Sequence, residues 1–102
     1  MIQIQAPRFP LGKLVATPAA LAAIKEEGMT PFAFVARHAK ADWGDDLSEE
    51  DRVLNDEAVR DGSRILSAFV LSKTQERLWC ITEAQDDYGQ REATTLLLST
   101  EY

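Results

Sequence analysis

The sequence predicts a two-layer α+β fold: a short amino-terminal strand, three helices, then a three-stranded antiparallel meander that completes one sheet. Three observations lead there. The pairs Thr17-Pro18 and Thr30-Pro31 and the run Ser48-Glu49-Glu50-Asp51 each carry the signature of a helix start. From Arg64 onward, segments rich in Ile, Val, Phe, Trp, Thr and Leu alternate with short polar connections. A chain of 102 residues with 45% hydrophobic side chains can build one core and little beyond it.

Residues 1–10 hold Pro7 and Pro10 without a clear pattern and read as an extended lead-in, so a single domain is expected over 11–102. Leu11 to Ala16 reads as a short strand with Lys13 its only charge. In the first helix Thr17 caps free amides, Pro18 suits the first helical position, the turns run through Leu21 and Ile24, and Gly28 ends them. In the second, Phe32, Val35, Ala36 and Ala39 recur at i, i+3, i+4, i+7 as one buried stripe, with Phe34 and His38 on its flank. The third begins at Ser48, whose hydroxyl and three following carboxylates suit the positive end of the helix dipole. Leu47, Leu54 and Ala58 give it a narrow apolar stripe, and Gly62 follows its last turn. Asn55 lies outside that stripe, where a hydrogen bond to a neighbouring loop is its expected role. The strands are expected at Ile65 to Leu71, Arg77 to Thr82 and Ala93 to Leu98. The first of these is apolar at both parities, which predicts a central strand with both faces at least partly covered.

Charge is concentrated in one place. Between Asp42 and Asp61 nine acidic residues face only Arg52 and Arg60, a local balance of −7 in a chain whose net charge is −6. Such a field can choose a partner. It also argues against sequence-independent nucleic-acid binding, which needs Lys and Arg against phosphates. The chain shows neither a long apolar run nor a secretory leader, so a cytoplasmic protein without a membrane span is expected. Cys80 is the only cysteine; within Leu78-Trp79-Cys80-Ile81 it reads as strand core.

Two groups of residues stand out as candidate sites. The first joins His38, Asp42, Trp43, Gly44, Asp45 and Asn55: an exposed Trp in a Gly turn beside carboxylates can grip a basic protein surface. Its structural counterpart has Trp43 folded back over the sheet and Asp42 or Asp45 capping a helix. The second joins Glu83, Arg91 and Thr94 or Thr95 around the last hairpin, fitting either a small ligand or a cross-strand ion pair. Asp42, Asp45 and Asp46 have the ligand type for Mg²⁺, but solvated turn acids explain them as well, and no metal or other cofactor is expected. Nucleophile elbow, phosphate loop and metal-ligand spacing are all missing.

Several segments, taken together and in order, resemble one family. They are Leu11-Gly12-Lys13-Leu14-Val15-Ala16-Thr17-Pro18, Ala36-Arg37-His38 with Asp42-Trp43-Gly44-Asp45, Asn55-Asp56-Glu57-Ala58, Arg64-Ile65-Leu66-Ser67-Ala68, Trp79-Cys80-Ile81-Thr82-Glu83 and Thr94-Thr95-Leu96-Leu97-Leu98. The chain resembles small, stand-alone bacterial proteins common on plasmids and integrative elements, often labelled plasmid-related and sometimes a restriction-modification subunit. That resemblance implies a genetic setting without an established activity. Neither a methyltransferase Gly-rich motif nor a nuclease carboxylate-lysine motif accompanies it here. The chain departs from the family pattern where Gln85 to Gln90 open out the last hairpin, and Arg91 stands where the family carries a hairpin arginine.

The expected function is a non-enzymatic interaction protein of a mobile element, holding a protein partner through Asp42, Trp43, Asp45, Asp46, Glu49, Asp56 and Glu57. One concrete form is inhibition of a host nucleic-acid-binding protein, with carboxylates standing where phosphates would. On a helix Glu49, Glu50, Asp56 and Glu57 share one broad arc, with Val53 in its middle. The alternatives are a small hydrolase or nuclease using His38, Asp42 and Asp45, and a symmetric homodimer with no site on this surface.

Overall fold

A computed structural model describes residues 6–102; the part of the lead-in expectation that falls on residues 1–5 lies outside them. The elements run β1 (Lys13–Ala16), α1 (Pro18–Glu26), α2 (Pro31–Ala39), α3 (Glu49–Asp61), β2 (Ile65–Val70), β3 (Arg77–Thr82) and β4 (Ala93–Leu98), with a 3₁₀ turn at Ser99–Glu101. Helices pack on one face of a four-stranded sheet, so the α+β class holds.

The sheet is mixed, which corrects the plain antiparallel meander. Its order is β1-β4-β3-β2: the last three strands pair antiparallel, but β1 lies parallel to β4, with Leu14 opposite Thr94 and Ala16 opposite Leu96. β2 was expected in the centre and stands at an edge. The Trp43–Asp46 segment and α3 bind along its outer edge, as described below, while Val70 on the face away from the helices is 44% exposed.

Thr17 accepts from Ala20 N and Ser48 from Asp51 N, so side-chain oxygens satisfy amides that the first helical turn leaves free. Thr30 starts α2 without a side-chain bond. The main core joins Ile24 of α1 and Phe34 of α2 to Phe69, Leu78, Cys80 and Leu96 of the sheet, Phe34 and Phe69 having ring centroids 5.2 Å apart. Ala20 and Ala23 give α1 a nearly bare inner face that can lie close on β4.

Two helical stripes are rotated from expectation. In α2 the buried residues are Phe34, Val35, His38 and Ala39, whereas Phe32 is 70% exposed. The pairs 34/38 and 35/39 fit the helical period as well as the expected set, and the ring of Phe69 settles the choice. In α3 the inner residues are Asn55 and Ala58, with Arg52 and Val59 half-buried, and Leu54 is 59% exposed. A stripe led by Asn55 is not recognisable by hydropathy.

Candidate functional site

A second, smaller core forms where α2, the turn after it and α3 meet the β2 edge. It holds Phe9, Trp43, Ala58 and Ile65. Phe9 belongs to the presumed lead-in, yet it is buried, and Arg8 N donates to Ala39 O at 2.9 Å. Trp43 is 4% exposed, so the exposed aromatic anchor is corrected: the ring lies 5.8 Å from that of His38 and 6.1 Å from that of Phe9. Its indole N–H, which needs a partner once buried, donates to Asp56 Oδ1 at 3.1 Å.

The turn around Trp43 closes the β2 edge. Ala68 N donates to Trp43 O at 2.9 Å and Asp46 N to Ala68 O at 3.2 Å. Gly44 takes φ +87°, and any Cβ there would collide with the Ala68 carbonyl, so only glycine fits the approach. Two residues along the strand, the amide of Asn55 imitates a neighbouring strand: Nδ2 donates to Leu66 O at 2.7 Å while Oδ1 accepts from Leu66 N at 3.2 Å. Arg52 adds a bond from its guanidinium to Gly44 O. The inner side of α3 is thereby tied to turn and sheet by hydrogen bonds in place of an apolar stripe.

His38 is fully buried at the centre of a polar chain. Thr94 Oγ1 lies 2.7 Å from Leu11 O, which can only accept, so Thr94 donates. Thr82 must then donate to Thr94 at 2.6 Å and His38 Nε2 to Thr82 at 2.8 Å, while Ser67 Oγ lies 2.5 Å from His38 Nδ1. The chain fixes a proton on Nε2, and the imidazole, kept neutral by its burial, accepts from Ser67 at Nδ1. Burial, with the nearby Arg91 charge as a lesser cause, pulls its pKa down to about 4.

Arg91 is 3% exposed and binds main-chain carbonyls: Nη1 donates to Ser63 O at 2.8 Å and Glu83 O at 3.0 Å, and Nη2 to Ala58 O at 2.8 Å. Burial lowers its pKa. Its Nε has no hydrogen-bond partner among the described residues. The expected Glu83–Arg91 ion pair is replaced by a bond to the Glu83 carbonyl, and the Glu83 residue is exposed. The positive guanidinium sits on a carbonyl near the negative end of α3, which compensates its burial in part.

The structure thus gathers His38, Trp43, Asn55, Arg91 and Thr94 into an interior framework. It leaves Asp45, Glu49, Asp56 and Glu57 on the surface, while Asp42 pairs with Arg37 (2.7 Å) and Asp46 with Arg77 (3.2 Å). The Arg37 guanidinium holds the Asp42 carboxyl below its usual range. His38 shares no site with Asp42 and Asp45: both its nitrogens are engaged inside, and those carboxylates face outward. Sequence reading missed Phe9, Ser67 and Thr82 as partners of this framework. Ser67 alternates with Ile65 and Phe69 on the core-facing parity of β2, and a hydroxyl there beside a chain's sole histidine was the available signal.

What α3 offers to solvent is its outer side, where Val53 (47% exposed) and Leu54 stand among Glu49, Glu50, Asp56 and Glu57. Among the described residues, no group of three or more His, Cys, Asp or Glu side chains is placed to hold a metal ion, and no helix is long and apolar enough to cross a membrane. No family model, curated protein or solved structure matches the chain.

Proposed function

We propose that this protein acts by binding another protein on the outer side of α3, without catalysis of its own. One observation carries the reading: two branched apolar side chains, Val53 and Leu54, stand in water on a helix whose opposite side is pinned by Asn55 and Arg52. At roughly 100° per residue the six outer positions from Asp56 round to Leu54 span about 160°. That is the width of a helix face, with carboxylates framing an apolar pair. A partner with a basic rim around an apolar pocket would complement it, the apolar pair supplying affinity and the acids the encounter rate.

In this reading Trp43 works from inside, holding Asp56 in place. A host nucleic-acid-binding protein fits as partner because its own site is basic. The mobile-element and cytoplasmic setting belongs to the same proposal, the first resting on the residue resemblance and the second on the sequence pattern. The hydrolase reading has no accessible His38 on which to build.

The test is capture from nuclease-treated bacterial lysate with wild type, Leu54→Asp and the double variant Glu50→Lys/Glu57→Lys. All three are expected to fold, because these side chains face solvent. A basic partner held by wild type, released by raised salt and lost by both variants is the expected outcome. Undiminished capture by both variants would remove α3 from the interaction.

A further inference from the structure

The two edges of the sheet are treated differently. At the β2 edge the outward main-chain groups of Leu66 and Ala68 are satisfied by Asn55, Trp43 and Asp46. At the β1 edge Lys13 N donates to Glu92 O and Thr17 N to Leu96 O, each at 3.0 Å, so the odd positions turn toward β4. Leu14 and Ala16 consequently turn their N–H and C=O groups away from the sheet. No strand flanks β1 on that side among the described residues. Proteins usually blunt such an edge with proline, a bulge or inward charge; Lys13-Leu14-Val15-Ala16 has one Lys at its start and two exposed apolar residues, Leu14 at 46% and Val15 at 42%. Phe32, at the start of α2, overhangs the same edge and lines an apolar groove with Leu14, Ala16 and Pro31.

We propose that a second copy of this chain occupies the edge, β1 pairing antiparallel with β1 about a two-fold axis at Val15. The outward groups are disposed symmetrically around Val15, so this single register satisfies them all: Leu14 of each copy exchanges two hydrogen bonds with Ala16 of the other. Leu14 and Ala16 stand on the helix-facing side, since they pair with the buried Thr94 and Leu96. Leu14 of one copy therefore enters the apolar groove under Phe32 of the other. Charge complements the register as well. Lys13 falls opposite Thr17 of the second copy, and the Thr17 hydroxyl donates to Glu101 Oε1 at 2.8 Å, so an ammonium meets a carboxylate twice per dimer. The product is a continuous eight-stranded sheet with the acidic α3 helices at its two far ends, leaving the proposed partner face free.

The symmetry supplies the test. Val15 meets its own copy in a non-hydrogen-bonded antiparallel pair, where Cα atoms lie about 4.5 Å apart and a disulfide can close. Val15→Cys is expected to become a covalent dimer under mild oxidation, whereas Val70→Cys, on the capped edge, stays monomeric. Sedimentation of the full chain over a concentration series is expected to show wild type doubling in mass. Leu14→Pro, which removes only an outward N–H, should remain monomeric with an unchanged circular dichroism spectrum. Monomer at every concentration together with no Val15→Cys cross-link would overturn the proposal. So would a dimer that survives Leu14→Pro, or a heterologous protein captured on this edge in place of a second copy.

Discussion

His38 shows how one residue sets a pH limit on the whole molecule. Folded, it stays neutral down to about pH 4; unfolded, it takes up a proton near its ordinary 6.5. Between those values the unfolded chain holds more protons, so the stabilisation is complete above pH 6.5 and is lost as pH falls through the window. Urea denaturation of wild type should lose about 2 kcal/mol between pH 7.5 and 5, a slope absent from His38→Gln. A flat wild-type profile over that range would mean that the imidazole is not held neutral. The Asp42 carboxyl, depressed by Arg37, adds its loss only further into acid. Trp43 is the other decisive residue. Its replacement by Ala should cost about 3–5 kcal/mol, a core truncation, while Trp43→Phe should cost nearer 1 kcal/mol for the hydrogen bond to Asp56. Equal and negligible losses in thermal denaturation would place the indole in solvent.

At the scale of elements, α3 is unusual in resting on the sheet through polar bonds. Asn55 supplies both groups that a missing strand would supply to Leu66, so Asn55→Ala should cost about 2 kcal/mol by leaving a buried N–H and C=O unpaired. Leu54→Ala, by contrast, should change stability by about 0.5 kcal/mol or less, because that side chain already stands in water. Chemical denaturation of the two variants side by side decides the rotation of the helix. If Leu54→Ala proved the more damaging, α3 would be facing the other way. The Trp43–Asp46 turn does for Ala68 what Asn55 does for Leu66. Gly44→Ala should therefore unzip the β2 edge, and hydrogen exchange at Ala68 N should speed up in that variant while the β3–β4 pairing stays protected.

For the whole molecule, the core is built on one face of the sheet and Cys80 lies at its centre, with burial raising its thiol to about 12. Thiol labelling in native buffer should then proceed only through global opening and accelerate with urea in step with unfolding. Rapid labelling without denaturant would contradict that packing. The linear pattern carries the class and the element ends. Thr17-Pro18, Ser48 and Gly62 act on their own neighbours through caps and left-handed backbone, and those interactions need no distant partner. The strands were legible for the same reason, since β-branched and aromatic runs are a local signal. What lay beyond reach was everything settled by contact across the fold. Helical spacing allows α2 either Phe32 or Phe34 as its inner aromatic, and only Phe69 chooses between them. An acidic helix with one asparagine does not announce that the asparagine faces inward, because its hydrogen bonds go to Leu66, eleven positions away along the chain. Trp43 was seen as the key residue of its turn, yet whether an aromatic beside carboxylates points to solvent or core depends on a cavity lined by Phe9 and Ile65. By itself the sequence determined the α+β class, the starts of the three helices and the local excess of negative charge. The tertiary structure alone decided the parallel edge strand, the inward turn of Trp43, His38 and Arg91, and the outward turn of Leu54, because burial is a property of surfaces that meet only once the chain has folded.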